Sequence, residues 1–389
     1  MGKAPGRYPY SEKELYLLLS PDYLYTYQYL SLSPAYPYLP QVMLRFLILF
    51  LLSFTLYSAS LRIRLKEDNY LAVRGEVVLK GNKKSFDYNS LRGKLEIREG
   101  EIYFLNRKWG EKLEVIPEGE IFWWGKSPFR GRLRLVVREN KILPLNIVDI
   151  EDYLRGVVGE EMPYYWPEEA LKAQSVVSRT YALYHLRHYR PYDLSSTILH
   201  QKYGGIKSER ETINRAVAKT RGEVLVRNGE LIFSPFHACS GGFTEWGKEV
   251  WEKAPSYLIG VPDPFCENSP YSYWTYRITR RRLGEMLGVR VKRVEIVEYT
   301  PSGRVRKIKI GDRILRGEEL RKILGYSHLR STLFRVIEGR WWIKFVGKGW
   351  GHGVGLCQWG ARKMAEKGFS YQDILKFYFP YAHIEKYEN

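Results

Sequence analysis

Four glutamates stand in the stretch GEEMPYYWPEEALKAQ (159–174), two just before Met162-Pro163 and two just after Pro167. A glutamate works as a general acid near neutral pH only if its pKa is lifted from about 4.3 to roughly 6–7, which is worth about 3 kcal/mol. The two pairs meet that demand differently. Glu168 and Glu169 fall in the first turn of a helix that Pro167 starts. Negative charge there is favoured by about 0.3–1 kcal/mol each, so both read as ionised and structural. Glu160 and Glu161 follow the C-terminal end of a preceding helix, where the dipole disfavours a carboxylate and each repels the other. Pro163 and Pro167 stiffen the link, and Tyr164, Tyr165 and Trp166 can exclude water. All three effects raise a carboxyl pKa. The alternative is a pair of solvated loop residues.

Two other segments carry chemistry-capable side chains. GWGHGVGLCQWGA (349–361) has glycines at 349, 351, 353, 355 and 360, a density that lets backbone approach a ligand closely. His352 and Gln358 in it are candidates for hydrogen bonding to a sugar on a cleft wall; the alternative is a tight turn feeding the next helix. No βαβ unit surrounds these glycines, so they are not a dinucleotide fingerprint. HACSGG (237–242) sets His237, Cys239 and Ser240 beside two glycines, and a Cys-His or Ser-His nucleophile is conceivable there.

The elements that must position these residues follow from periodicity. Residues 61–145 read as a small β-rich region of short alternating runs (LRIRL, LAVRGEVVL, FRGRLRLVV) parted by Gly, Asn and Asp turns. A helix is expected over about 148–158, with Gly159 ending it in the left-handed conformation. The next runs from Pro167 to about Tyr189, with Ala170, Leu171, Ala173, Val177, Tyr181 and Tyr184 as its buried stripe. Further helices are expected at 209–220, 280–287, 317–324 and 357–367, with a last one that Ser370 and Asp373 cap as a box. Asn228-Gly229 marks a hairpin turn, a strand pair flanks the SGR at 302–304, and a strand spans 341–347. The fold class is α+β, with mixed helices, short antiparallel sheets and a β-rich N-terminal region. The domains are an N-terminal extension (1–60), the β-rich region (61–145) and a larger region (146–389).

The chain has 389 residues, 44% hydrophobic and 27% charged, which fits a globular protein with a substantial core. Its net charge of +19 points to an anionic partner or to a salt-bridged surface. No Lys/Arg block or RNA-binding signature supports nucleic acid. Phe46 to Tyr57 is an uncharged apolar run after Arg45 and before Ser58-Ala59-Ser60. Its length suits a signal-peptide core and is short for a span of roughly 20 residues. MLRFLILFLLSFTLYSAS then reads as a complete export signal starting at Met43, with 1–42 an upstream extension; a retained anchor is the next choice. The expected location is the cell envelope, periplasmic or extracellular, with membrane contact only through that signal or anchor. Export permits disulfides, and three cysteines leave at least one unpaired in a monomer.

YLRGVVGEEMPYYWPEEALKAQSVVSRTYAL resembles the central motif of the stage II sporulation protein D / amidase-enhancer family of bacterial cell-wall proteins. QKYGG (201–205), SPFHACSGGFTEWGKEVWEKAPSYLIGVPDPFC (234–266) and GKGWGHGVGLCQWGARKMAEKGFSYQDILKFYFP (347–380) agree in order. The resemblance covers residue 61 to the end. It implies a peptidoglycan lytic transglycosylase that cuts glycan strands between N-acetylmuramic acid and N-acetylglucosamine and leaves 1,6-anhydromuramoyl ends. The family's catalytic glutamate precedes Met-Pro, which is Glu161 here. It further implies Gln201, Tyr203 and Ser240, with His352 and Gln358, as substrate-cleft residues. No cofactor is required, but some members bind zinc, which points to Cys239, Cys266, Cys357 and His237 as ligands; a Cys239–Cys266 disulfide or free thiols are the alternatives. The partners implied are glycan strands and, in the branch named for it, a cell-wall amidase that a non-catalytic wall-binding protein would activate.

Overall fold

The computed structural model describes residues 59–186, 190–197, 199–267 and 269–387. The expected upstream extension and the export signal up to Ser58 lie outside the described residues, while Ser60, the last residue of that signal, opens the first strand. Among the described residues no helix is long and apolar enough to cross a membrane.

Residues 60–149, with Leu194–Ser195 as an edge strand, build a nine-stranded sheet, and residues 96–110 within them form a separate three-stranded one. The strand Tyr70–Lys80 of the larger sheet shows how alternation builds it: Leu71, Val73, Val77 and Leu79 point inward while the residues between them are exposed or half-buried. Tight hairpins use residues at positive φ, such as Glu139-Asn140, and the expected Asn228-Gly229 turn adopts the same form. Ser60–Arg64 pairs antiparallel with Lys141–Asp149 and parallel with Leu194–Ser195. The 145/146 step lies inside the strand Lys141–Asp149, and one continuous core runs from Leu61 to Phe379. The chain is thus α+β, with its β-rich part and its helical part packed on the same apolar residues.

Eight α-helices follow among the described residues. They are α1 (Ile150–Glu161), α2 (Glu168–Tyr184), α3 (Glu211–Lys219), α4 (Gly247–Val250), α5 (Arg280–Leu287), α6 (Gly317–Leu324), α7 (Gln358–Glu366) and α8 (Tyr371–Tyr378). Asp149 caps α1 by accepting from the Glu151 and Asp152 amides at 2.8 and 3.3 Å. The helix does not stop at Gly159 as expected; it continues to Glu161 and is capped by extended Met162. Gly159 serves packing instead, since a Cβ there would sit 1.9 Å from the Ser208 carbonyl oxygen. Helix α2 starts with Pro167 at its cap and ends at Tyr184, short of the expected Tyr189, with His185 at its C-terminal cap folding its ring back to donate from Nδ1 to the Tyr181 carbonyl, 2.8 Å away. On α2, Arg179 is buried and grips Glu151 of α1 with two 2.8 Å hydrogen bonds while donating to the Glu223 carbonyl. Removing either partner of such a pair costs about 3–5 kcal/mol, so Arg179 braces the two helices. The Ser370–Asp373 capping box forms on α8 as expected.

Residues 274–347 form an excursion with its own core, centred on Ile308, Leu320, Ile343 and Phe345. Two three-stranded antiparallel sheets build it. The strands Phe236–His237 and Leu356–Cys357 pair in parallel on either side of it in sequence. The buried Arg304 of the SGR turn reaches back into the main body, donating to the carbonyls of Ser240 (2.6 Å) and Phe243 (2.9 Å).

Candidate active site

Glu161 is the last residue of α1 and half-buried. Its Oε1 accepts the Lys202 backbone N–H at 2.9 Å. Burial raises its pKa above the ordinary glutamate range. The Lys202 amide, the Lys202 charge and the Gln358 side chain pull it partly back, while Glu160 pushes it up again. Position at the helix C-terminus works in the same direction as burial, because the dipole there is negative. Glu160, one residue earlier, is exposed and hydrogen-bonds the Ser208 hydroxyl.

The carboxylate is backed by a chain of amides. Gln358, first residue of α7, lies against Glu161 and donates to Gln174 Oε1 at 3.3 Å; Gln174 in turn donates to the Ser178 hydroxyl at 2.9 Å. All three are buried in the body of the protein. Gln174 and Ser178 carried no motif signal, and only their i, i+4 spacing on α2 toward the glutamate segment hinted at a shared face.

The aromatic residues after Glu161 divide. Trp166 is buried and packs edge-on against Trp359 of α7, with Arg362 over both rings. Tyr164 and Tyr165, expected to exclude water, are instead 51% and 72% exposed. The link from Met162 to Pro167 is too short to fold three rings inward, so it buries one and presents two beside Glu161.

Gln201 and Tyr203, expected on the cleft wall, are both buried. Gln201 accepts from the Tyr153 hydroxyl at 3.2 Å and donates to the Ser178 carbonyl, and Tyr203 donates to Asn146 at 3.0 Å. A Cβ on Gly156 would come within 2.7 Å of the Tyr203 ring, so that glycine admits the tyrosine. Anchored at both flanks, the Lys202 amide between them is held on Glu161. Their role in the structure is therefore positioning, not exposure to a ligand.

His237 is buried and His352 half-buried. The His352 Nδ1 accepts from the Val354 amide at 3.0 Å, and its ring packs 5.0 Å from Trp251 and 5.6 Å from His237. Burial pushes His352 well below the ordinary histidine range and His237 down to about 3, so both rings are neutral. Gly351 makes the pair possible: it has φ +116 and no room for a Cβ against His237. Among the described contacts none joins His352 to Glu161. The glycine-rich loop contributes Gln358 to the site, while its half-buried histidine packs on Trp251 and His237.

The three thiols converge. Cys239 and Cys266 have sulfurs 3.0 Å apart and no disulfide joins them. The Ser240 amide donates to Cys357 Sγ at 3.3 Å, and its hydroxyl donates to Asp263 Oδ2 at 2.7 Å. Asp263, Cys266 and Cys357 each offer a donor atom within 4.8 Å of the others. Three thiols and a carboxylate are a donor set that suits zinc, whose tetrahedral thiolates stand about 3.8 Å apart, so Cys239 and Cys266 would part slightly to share an ion. His237 is not in the cluster; its Nδ1 faces the Val354 carbonyl, and Asp263 stands in the place expected of it. Ser240 is likewise fully buried in this cluster and not on a surface. Asp263 went unnoticed because nothing in VPDPFC distinguishes it from a turn aspartate, and it does cap the short turn by accepting from the Phe265 amide.

Comparison with known proteins gives this geometry a family. The family described as "Stage II sporulation protein" matches residues 138–226, the stretch holding α1, α2 and Glu161, and a domain of unknown function matches 277–355. Stage II sporulation protein D of Bacillus amyloliquefaciens is 30% identical over 253 residues, covering 60% of this chain and 73% of that protein. An uncharacterized protein of Brachyspira hyodysenteriae is 34% identical over 268 residues, 67% of this chain and 73% of its own. The amidase enhancer of Bacillus subtilis is 30% identical over 292 residues, 60% of this chain but only 40% of that protein. The chain belongs to the stage II sporulation protein D family.

Proposed function

We propose that the protein is an exported lytic transglycosylase that cuts peptidoglycan glycan strands with Glu161 as its single acid and base. The observation that carries this reading is the half-buried Glu161 carboxyl, its pKa raised by burial, beside two exposed tyrosine rings. Ordinary glycosidases need two carboxyl groups. Here the partner glutamate is exposed and tied to Ser208, which leaves one.

The protonated Glu161 gives its proton to the glycosidic oxygen as the bond from C1 of N-acetylmuramic acid to that oxygen breaks. The departing N-acetylglucosamine leaves with a hydroxyl, and the muramic ring carries oxocarbenium-like charge beside the new carboxylate. That carboxylate then takes the proton of the same ring's C6 hydroxyl while O6 bonds to C1, which closes the 1,6-anhydro ring and restores the acid. Proximity replaces an external water. Tyr164 and Tyr165 offer flat faces on which sugar rings can stack. The reaction needs no cofactor. Zinc held by Cys239, Cys266, Cys357 and Asp263 would tie the 237–242 loop to the start of α7, from which Gln358 reaches Glu161, and so supply rigidity.

Similarity to an amidase enhancer favours a second reading, in which the protein binds wall glycan and stimulates a separate amidase without cutting. Mass spectrometry of denuded glycan strands after incubation separates the two. Anhydro-ended fragments that disappear with Glu161→Gln support the first, and intact strands with a stimulated amidase overturn it.

A further inference from the structure

The positive charge is not spread over the molecule. Residues 277–355, about a fifth of the chain, hold 20 Lys and Arg against 7 Asp and Glu, so 13 of the +19 net charges lie there. Within this excursion the two sheets treat cations in opposite ways. In the sheet Val294–Tyr299, Val305–Ile310, Arg313–Arg316, the register sets Glu295 against Lys309 and Glu298 against Lys307, and Glu298 also pairs with Arg306.

The other sheet, Trp274–Thr279, Trp342–Gly347 and Phe334–Glu338, offers no such partners. Its inner face carries Trp274, Ile278, Ile343, Phe345 and Phe334, all buried. Its outer register positions are Thr275, Arg277 and Thr279; Trp342, Lys344 and Val346; Arg335 and Ile337. None is acidic. Arg277 stands directly opposite Lys344, an arrangement that destabilises a sheet, and neither they nor Arg335 form an ion pair among the described residues. Tyr273, 69% exposed, continues one edge with the Lys348 ammonium 5.2 Å from its ring centre, and Arg277 lies 4.4 Å over the Trp342 ring. Four cations and two aromatic rings thus line an open face about 20 Å long, and nothing in the fold itself accounts for leaving like charges opposed.

We infer that this outer sheet face is a docking surface for a carboxylated glycan strand, held by Arg277, Arg335, Lys344 and Lys348 on its anionic groups and by Tyr273 and Trp342 on its sugar rings. The choice of a carboxylated glycan over another polyanion rests on the function proposed above, while the surface lies on different strands from Glu161. Lys344 and Lys348 lie four residues apart along one strand line, about 13 Å, a span suited to an extended chain with repeated charge and one that a compact ion would not need.

The test uses the full chain carrying Glu161→Gln, so that binding is read without cleavage. Denuded glycan strands, the same strands with their carboxylates amidated by carbodiimide chemistry, and single-stranded DNA are compared as ligands. The double reversal Arg277→Glu/Lys344→Glu is expected to weaken binding of native strands by at least about tenfold, and raising ionic strength from about 0.01 to about 0.15 M to weaken the parent in the same direction. Amidated strands should bind the parent as weakly as native strands bind the reversed variant. The reversal keeps like charges opposed at 277 and 344, so the melting temperature should stay close to the parent's; Arg335→Ala/Lys348→Ala provides a second, independent loss. Undiminished binding by both variants, equal binding of amidated strands, or tighter binding of DNA than of glycan would overturn the inference. Absence of cleavage by the parent would count against the proposed function and leave this binding comparison intact.

Discussion

The last turn of α1 and the first turn of α2 each present two adjacent glutamates, seven residues of chain apart, and the fold sends them in opposite directions. Burial raises Glu161, whereas Glu168 is held down to about 2, chiefly by its hydrogen bond with Lys219 and also by Lys172. Glu169 is engaged as well, by Lys172 at 2.6 Å and by the Tyr371 amide at 2.8 Å. Helix polarity favours the same division. Residue type and spacing are therefore the same at both sites; what separates a carboxyl of raised pKa from a structural anion is which end of a helix it occupies and whether lysine side chains can reach it.

The largest test of that contrast is activity. Glu161→Gln should lower release of anhydro-ended fragments by about 10²–10⁴-fold, while Glu168→Gln should leave it nearly unchanged; equal losses would erase the distinction. Cleavage should decline as pH rises through the raised Glu161 pKa, since the acid form is required. Gln358→Ala removes a group that lowers that pKa, so the alkaline limb of the pH–rate profile should move upward, a shift that a merely structural role would not give.

Stability effects are smaller. Gly159→Ala should cost about 1–3 kcal/mol in denaturant unfolding, because its Cβ has no room beside Ser208. At neutral pH Glu161→Gln should stabilise the fold by about 0.5–2 kcal/mol. The sign follows from linkage: a carboxyl group whose folded pKa is raised loses stability as pH climbs from the unfolded value toward the folded one. Glu168→Gln should do the reverse and destabilise by about 1 kcal/mol at pH 7, with solvent screening limiting the effect. Its lowered pKa places that contribution above the unfolded value near 4.5, and it should vanish as pH falls toward about 2.

Much of this site was legible in advance because it depends on local polarity. Pro167, the helix ends and the Met162-Pro163 stop sort the glutamates without reference to the rest of the chain, and the hairpin at Asn228-Gly229 and the cap at Ser370 are equally local. What escaped depends on contacts far apart in sequence. Gly159 looked like a helix stop, but its neighbour is Ser208, 49 residues on. Gln201 and Tyr203 are expected in a cleft only from the family resemblance, which carries no information on their packing. Their burial follows from Tyr153, Ser178 and Asn146, which lie on other elements. The same holds for Asp263, drawn to the thiols by a fold that brings 239, 263 and 357 together.

The excursion at 274–347 leaves and re-enters the main body through paired strands, with Trp274 directly across from Gly347. Its two ends are therefore only a strand's width, about 4.8 Å, apart. A segment attached by such a narrow neck can be lengthened, replaced or lost without rerouting the host chain, whose own path closes across the gap. Against excision stands Arg304, whose withdrawal would strand the Ser240 and Phe243 carbonyls without their donor. With Thr300 and Ser302 donating to Glu245 and Arg306 paired with Glu249, it makes the excursion an integral part of the protein.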